Sequence, residues 1–286
     1  MASLDLFRSD DASWPRLHPR LHLGTSSFSD QSWVGPFYPP GTKPTDFLRA
    51  YARRFETVEI DATFYRAPSP AQARSWAAKV PEGFRIAAKM PQSITHEKVL
   101  LECDEEMKEF VGAMDEMGDR LGPLLFQFPH FARETFGSVA SFLDRLAPFL
   151  DRLAKGHAYA VEVRNRTWIG EPLLELLRTH GIAFALIDYP RMPSVDELLR
   201  RHDVVTADFS YVRWLGDRKG IEALTPSWDR LIVDRTADME RWAPALSRLL
   251  DRSIDVYGYF NNHYAGHAPG SIALLSDVWA RPHREG

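Results

Sequence analysis

The chain contains few of the features that would identify its chemistry directly. Cys103 is its only cysteine, which excludes an internal disulfide and a zinc site built on cysteines. No apolar run approaches the roughly 20 residues that a membrane-spanning helix needs. Residues 1–20 also lack the uninterrupted apolar core of a signal peptide. We therefore expect a soluble, cytoplasmic protein that does not bind membranes.

Positive charge is not in excess. The 35 Lys and Arg residues are outnumbered by 39 Asp and Glu residues, so the formal net charge is -4. A protein with this balance has no overall field that attracts nucleic acid, although a local basic cleft is compatible with it.

The motifs of several common enzyme classes are missing as well. No Gly-rich dinucleotide fingerprint or phosphate loop follows the first predicted strand, where the sequence reads GTSSFSDQSW. The GxSxG turn of a serine nucleophile does not occur, nor do the HxH and HExxH patterns of metal sites. These absences argue against a Rossmann-type oxidoreductase, a serine hydrolase and a zinc protease.

What recurs instead is a short apolar stretch that ends in a polar or charged residue. Strands are predicted at 21–25, 57–61, 84–89, 123–128, 158–164, 182–187, 209–214 and 255–261. Amphipathic helices are predicted at 46–55, 70–79, 104–117, 135–153, 171–180, 194–201 and 238–251. This alternation predicts a single (β/α)8 barrel of the TIM type rather than an open doubly wound sheet. The barrel domain is predicted at 21–286, after an N-terminal extension at 1–20.

In a β/α barrel, functional side chains gather where the strands end. Residues two apart on a strand share a face, so Glu59 is expected beside Asp61, and Glu162 beside Arg164. The polar ring expected at the barrel mouth contains Glu59, Asp61, Lys89, Gln127, Glu162, Arg164, Asp188, Arg213, Asn261, Asn262 and His263. Such a mixture of charges favours a polar ligand over a lipid, and burial would shift the pKa values of its members.

Two interpretations of these charges stay open. As catalytic groups, Glu59 or Glu162 would act as a base or metal ligand, and His263 would assist proton transfer. As structural groups, the same carboxylates would form buried ion pairs with the cations of the ring.

The cations suit a phosphate- or carboxylate-bearing ligand. Lys89, Arg164 and Arg213 are predicted to hold the anion, and Asn261 and Asn262 to orient it. Further predicted substrate contacts, two of them aromatic residues that would stack on a sugar or base, are Gln127, Asp188, Tyr65 and Trp168.

A divalent metal is a further hypothesis, because acidic and imidazole side chains come from several strand ends. The candidate ligands are Glu59, Glu162, Asp188, His96 and His263. The neighbouring cations would repel such an ion unless an anionic ligand lay between them. No cofactor is therefore firmly implied.

Six segments between Gly24 and Pro269 resemble, in the same order, the YecE-like family, also catalogued as domain-of-unknown-function family 72. They read GTSSFSDQSWVGPFYP, YARRFETVEIDATFYR, KMPQSITHEKVL, LLFQFP, VEVRNRTW and YFNNHYAGHAP. The resemblance implies a β/α barrel whose activity is undetermined. One departure is Asp61, where the family often has Asn.

Two function classes follow. The first is a hydrolase or lyase that acts at the mouth of the barrel on a phosphate-bearing ligand such as a nucleotide, nucleic acid or sugar phosphate. The second is a non-catalytic protein that binds a ligand or nucleic acid at the same mouth.

Overall fold

The computed structural model describes residues 16–281. Most of the predicted N-terminal extension lies outside these residues. The strands are β1 (Leu21–Thr25), β2 (Thr57–Ile60), β3 (Arg85–Lys89), β4 (Leu121–Gln127), β5 (Tyr159–Glu162), β6 (Ala183–Asp188), β7 (Phe209–Trp214) and β8 (Asp255–Phe260). They form one parallel sheet in the order β1-β8-β7-β6-β5-β4-β3-β2, which curls into a nearly closed barrel. The predicted (β/α)8 architecture is confirmed.

Helices connect successive strands. They are α1 (Phe47–Tyr51), α2 (Pro70–Ala77), α3 (Asp104–Asp115), α4 (Val139–Leu150), α5 (Glu171–Thr179), α6 (Val195–Arg201), α7 (Arg218–Glu222), α8 (Thr236–Leu250), α9 (Asn262–Ala265) and α10 (Ala268–Trp279). The short helices α7 and α9 and the apolar helix α10 are absent from the sequence prediction. With five and four residues, α7 and α9 are too short to show a helical period, and α10 is buried over most of its surface, so it has no polar face.

Four predicted strands extend too far at their carboxyl ends. The strand predicted at 123–128 ends at Gln127. Asp61 begins a short 3-10 helix (Asp61–Phe64), and Asn261 caps α9. Arg164 follows β5, which ends at Glu162. Asp61, Arg164 and Asn261 therefore belong to the loops above the barrel, where backbone direction is set by turns.

The barrel interior is filled unequally. Small side chains on β3, β5 and β6, among them Ala87, Ala160 and Ala185, face the large rings of Tyr211 and Tyr259 on β7 and β8. The two tyrosine rings lie 5.2 Å apart and bring hydroxyl groups into the barrel. Space left by alanine is thus occupied by aromatic side chains from the opposite wall, as close packing requires.

The seam between β1 and β2 is closed by packing and by one phenol. A Cβ atom on Gly24 would lie 2.2 Å from the carbonyl oxygen of Thr57, so only glycine allows this approach. The hydroxyl of Tyr51, from α1, accepts a hydrogen bond from the Thr25 amide at 2.8 Å and donates to the Thr57 carbonyl at 3.1 Å. Tyr51 thereby links β1 to β2, the two end strands of the sheet, which have no backbone pairing with each other.

Candidate functional site

Charged side chains from several strands meet at the carboxyl-terminal mouth of the barrel. Lys89 is the last residue of β3, and Arg213 lies one residue before the end of β7. Gln127 and Glu162 are register partners at the ends of β4 and β5. The buried amide of Gln127 donates to the carbonyl of the next residue, Phe128, at 2.6 Å.

Arg213 lies between two buried carboxylates. Its Nε and Nη2 donate to Oε1 of Glu59 at 3.2 and 2.8 Å, and its Nη1 donates to Oε2 of Glu162 at 2.7 Å. Both glutamate side chains are shielded from solvent, and Arg213 is 3% exposed. Buried charges are tolerated when they are paired and hydrogen-bonded, as these are. Glu59, Arg213 and Glu162 are called the buried triad below.

The remaining carboxylate oxygens of the triad also have donors. The Tyr211 hydroxyl donates to Oε2 of Glu59 at 2.6 Å, and Arg164 Nε donates to Oε1 of Glu162 at 2.5 Å. Burial by itself would raise the pKa of Glu162, but the charges of Arg164 and Arg213 lower it below its ordinary value. Every oxygen of the two carboxylates is therefore engaged by a protein group.

Asp61 and Lys89 lie beside the triad and have perturbed proton affinities. Burial and the negative charge of Glu59 raise the pKa of Asp61 to about 6, against the opposing charges of Arg213 and Lys89. Burial and the charge of Arg213 lower the pKa of Lys89 to about 8, although the neighbouring carboxylates oppose this. Both groups therefore exchange protons much nearer to neutral pH than an exposed Asp or Lys.

The ammonium of Lys89 rests on an aromatic ring. Its Nζ lies 3.5 Å from the centroid of Phe64, in the 3-10 helix that follows β2. Within residues 16–281, this Nζ has no hydrogen bond and no carboxylate within ion-pair distance. Lys89 is thus a cation of the mouth that the protein itself does not neutralise by direct contact.

Arg164 is bound on one side only. Its Nε contacts Glu162, and its guanidinium carbon lies 4.1 Å from the ring centroid of Tyr189. Its two terminal nitrogens make no hydrogen bond in the described part of the chain. The planar group is held in place by packing while two donor nitrogens remain for another partner.

His96 is a member of the mouth that the predicted ring omits. It lies in a π-helix (Ser93–Glu97) after β3, 4.8 Å from the ring of Phe64, and its Nδ1 is 2.8 Å from the hydroxyl of Thr95. Burial, together with the charges of Lys89 and Arg164, lowers the pKa of His96 to about 4. The imidazole is therefore neutral at neutral pH. The SITHEK motif contains this residue, but its spacing gives no sign of a π-helix.

The backbone after the π-helix is strained. Val99, Leu100 and Glu102 have φ values of 46°, 68° and 46°, in the left-handed region that non-glycine residues seldom adopt. Such conformations persist where surrounding structure enforces them, often near functional sites. This segment leads from His96 into α3, so the strain is adjacent to the mouth.

The structure does not place Asp188 in the mouth, contrary to its predicted position there. Ala185 faces the barrel interior, so Asp188, three residues later on β6, faces the surrounding helices. Its Oδ2 accepts hydrogen bonds from Trp242 Nε1 at 2.8 Å and from the Tyr264 hydroxyl at 3.1 Å. The side chain thus ties β6 to α8 and α9.

The Asn-Asn-His sequence after β8 was predicted to orient a ligand and assist proton transfer, but in the structure its three side chains contact protein groups. Asn261 caps α9 by accepting from the His263 amide at 2.9 Å, and Asn262 donates to Asp30 at 2.9 Å. His263 lies between Asn261 and Glu222 of α7, at 2.6 and 3.1 Å. The chain turns into α9 immediately after β8, and the imidazole of His263 contacts Asn261 and Glu222 rather than a carboxylate of the buried triad.

The two aromatic residues predicted to contact substrate have opposite environments. Trp168 is buried among Phe131, Phe136 and Phe142, with the ring of Phe142 4.8 Å away, so this ring packs in the core and has no exposed face for the predicted stacking on a ligand. Tyr65 is 72% exposed on the loop after β2. A second exposed tyrosine, Tyr189, follows β6 and was not predicted, although its position directly after a strand end was a usable signal.

Between residues 16 and 281, no three His, Cys, Asp or Glu side chains converge on a point that could hold a metal ion. The candidate ligands Asp188 and His263 contact Trp242, Tyr264, Asn261 and Glu222, and neither contacts the buried triad. Across this part of the chain no helix combines the length and apolarity needed to cross a bilayer.

Comparison with known proteins gives relatives over nearly the whole barrel. UPF0759 protein YunF of Bacillus subtilis is 26% identical over 275 residues, which cover 87% of this chain and 90% of that protein. UPF0759 protein YecE of Escherichia coli K12 is 27% identical over 214 residues, covering 68% and 74%.

Solved structures agree on the fold. The crystal structure of a DUF72 family protein from Thermotoga maritima matches with a TM-score of 0.68 and 27% identity, covering 91% of this chain and 99% of that one. A DUF72 family protein from Enterococcus faecalis matches with a TM-score of 0.67 at 22% identity, covering 92% and 96%. The model of the family described as "Protein of unknown function DUF72" matches residues 22–285, so the chain belongs to this family, as the six segments indicated.

Proposed function

We propose that the protein is an enzyme of hydrolase or lyase type that acts on a phosphate-bearing ligand at the carboxyl-terminal mouth of the barrel. The observation that carries this proposal is Lys89, a partly buried ammonium that contacts Phe64 and has no ion-pair partner among residues 16–281. A cation taken from water is costly unless an anion or hydrogen bond compensates it. A phosphate group bound at the mouth would supply that compensation.

Arg164 supports the same proposal. Its stacking on Tyr189 and its bond to Glu162 leave the two terminal nitrogens free to form a fork for phosphate oxygens. Arg213, by contrast, is committed to Glu59 and Glu162 and is a poorer ligand-binding candidate. Lys89 and Arg164 are therefore the proposed anion-holding residues.

Proton transfer is assigned to Asp61. A pKa of about 6 allows this carboxyl both to donate and to accept a proton near neutral pH. Glu59 and Glu162 are less suitable, because protein donors already occupy each of their oxygens. They are assigned a positioning role, which holds Arg213 and Arg164 in place around the ligand.

The engaged carboxylates also favour a second candidate function. Apart from Asp61, the predicted ring offers no carboxylate for proton transfer: Glu59 and Glu162 are bound by protein donors, and Asp188 faces the helices. If Asp61 does not exchange protons with the ligand, no other carboxylate of the ring can do so. The protein would then bind its phosphate-bearing ligand without chemical change.

Calorimetric titration with inorganic phosphate tests the anion site. Lys89→Met and Arg164→Met should each weaken binding by at least about tenfold, the scale of a hydrogen bond to a charged group. Lys43→Met is the matched control, because Lys43 is exposed on the loop after β1. Unchanged affinity in both mouth variants would contradict the proposal.

Turnover separates the two functions. A panel of phosphate monoesters and diesters should include one that the wild type cleaves, and Asp61→Asn should reduce that rate while retaining phosphate affinity. If the wild type binds phosphate but cleaves no member of the panel, and Asp61→Asn leaves the phosphate affinity unchanged, the non-catalytic binding protein is favoured.

A further inference from the structure

Exposed apolar side chains are concentrated on one face of the barrel. Among residues 16–281, the large apolar residues that are exposed are Tyr65, Leu101, Tyr189 and Leu224, with exposures of 72%, 51%, 38% and 64%. Tyr65, Leu101 and Tyr189 lie on segments that lead from the carboxyl ends of β2, β3 and β6 to the next helix, and Leu224 follows α7 in the connection from β7 to α8. The apolar exposure thus surrounds the mouth that contains Lys89 and Arg164.

The two exposed tyrosines lie next to the proposed anion-holding cations. Tyr189 is in contact with Arg164, at 4.1 Å from its guanidinium carbon. Tyr65 packs edge-to-face on Phe64, with 5.2 Å between ring centroids, and Phe64 is the ring on which Lys89 rests. An exposed aromatic surface therefore adjoins each cation.

We propose that the phosphate-bearing ligand is a nucleotide unit, whose phosphate contacts Lys89 and Arg164 and whose base stacks on Tyr65. The inference rests on the proposed function and narrows its substrate class. A free phosphate would not cover the ring of Tyr65, and a sugar would cover it only with C–H groups, whereas a base offers a flat π surface that aromatic side chains bind irrespective of its identity. Tyr65 is the better platform of the two, because Arg164 already covers part of Tyr189.

A cavity beside Tyr65 has room for a base. It has a volume of about 290 Å³, and its lining includes the rings of Phe64 and Tyr65, the three carboxylates of Glu97, Glu106 and Glu109, and one cation, Arg66. Its carboxylates repel a phosphate but accept hydrogen bonds from an amino group on a base edge. Phe64 both lines this cavity and carries Lys89, so the cavity and the cation contact the same ring. The cations Lys89 and Arg164 would face a phosphate at one end of the ligand, and the carboxylates of the cavity would face an amino-bearing ring at the other end.

The test compares 5′-AMP, ribose 5-phosphate and inorganic phosphate by calorimetric titration of the full chain. We expect 5′-AMP to bind the wild type about tenfold or more tightly than ribose 5-phosphate, the scale of base stacking on an aromatic side chain. A short 5′-phosphorylated oligoadenylate forms a fourth arm. Tight binding of 5′-AMP identifies a free nucleotide as the ligand, and binding of the oligoadenylate alone identifies a strand end; both support the nucleotide unit.

Variants at Tyr65 locate the base. Tyr65→Ala should reduce the affinity for 5′-AMP to that for ribose 5-phosphate, while Tyr65→Phe, which keeps the ring, should retain it. Leu224→Ala, an exposed apolar residue of the same face, is the control and should change neither affinity. Equal binding of 5′-AMP and ribose 5-phosphate, unaffected by Tyr65→Ala, would overturn the nucleotide inference and leave the anion site standing. Failure of all four ligands to bind would overturn the proposed function and the inference with it.

Discussion

Arg213 directs two nitrogens of its guanidinium group, Nε and Nη2, to a single oxygen of Glu59, at 3.2 and 2.8 Å. The two residues come from β7 and β2, which are not neighbours in the sheet, so the pair spans the barrel interior. Glu59 is fully buried and Arg213 nearly so, and the attraction between them is consequently stronger than at the surface. The pair therefore constrains the barrel as well as its mouth.

Replacing Glu59 by Gln should destabilise the fold. The change leaves Arg213 with Glu162 as its remaining buried carboxylate, and removing one partner of a buried ion pair costs on the order of 3 kcal/mol. Urea unfolding at neutral pH measures the change in the free energy of unfolding. Glu175→Gln, which breaks the exposed pair with Arg178, is the control and should have little effect. A stable Glu59→Gln protein that had lost turnover would instead support a catalytic role for Glu59.

Asp61→Asn should stabilise the protein above pH 6 and have little effect near pH 4. Since the folded-state pKa of Asp61 is raised from 3.8 to about 6, folding favours the protonated carboxyl. The contribution of this protonated carboxyl to the free energy of unfolding is complete below the unfolded-state pKa and is lost as the pH rises through the folded-state pKa. The gain from Asn at pH 8 should be on the order of 2 kcal/mol. Urea midpoints at pH 4.5 and pH 8 give the difference, and equal shifts at both pH values would refute it.

Anion binding should weaken as Lys89 loses its proton. Because the pKa of Lys89 is lowered to about 8, the ammonium is charged at pH 7 and mostly neutral at pH 9.5 in the unliganded protein. Sulfate is the appropriate ligand, since its own charge is constant over this range. Its affinity should fall between these pH values in the wild type but remain nearly constant in Lys89→Arg, which keeps its charge. A pH-independent affinity in the wild type would show that Lys89 does not hold the anion.

Alanine substitutions of Trp168 and Tyr65 should have very different effects on stability. Trp168→Ala removes a ring that is 6% exposed, and we expect a loss of about 3 to 5 kcal/mol in the free energy of unfolding. Tyr65→Ala should leave thermal stability almost unchanged, because this side chain is mostly in water. Thermal unfolding of the two variants is the measurement. Similar losses in both would mean that Tyr65 is packed more tightly than its exposure indicates.

Strand positions and the barrel architecture were predictable from local pattern. A strand of a parallel barrel is apolar over its length and is followed by polar residues, and this signal is contained in each short segment. The pairing of Glu162 with Arg164 was predictable for the same reason, since side chains two residues apart at a strand end point the same way. For Glu59, Glu162 and Arg213, the sequence indicated the mouth but left open whether they bind one another or a ligand.

Which side chains meet was decided by long-range geometry. Glu59 and Arg213 are 154 residues apart in the chain, and only closure of the barrel brings them to 2.8 Å. Asp188 and His263 are also polar residues at or after a strand end. Asp188, however, lies on the outer face of β6, and His263 lies in α9, where it contacts Asn261 and Glu222. The low solvent access that shifts Asp61 and Lys89 toward neutral pKa values is likewise a property of the assembled barrel, because desolvation depends on every neighbouring element at once.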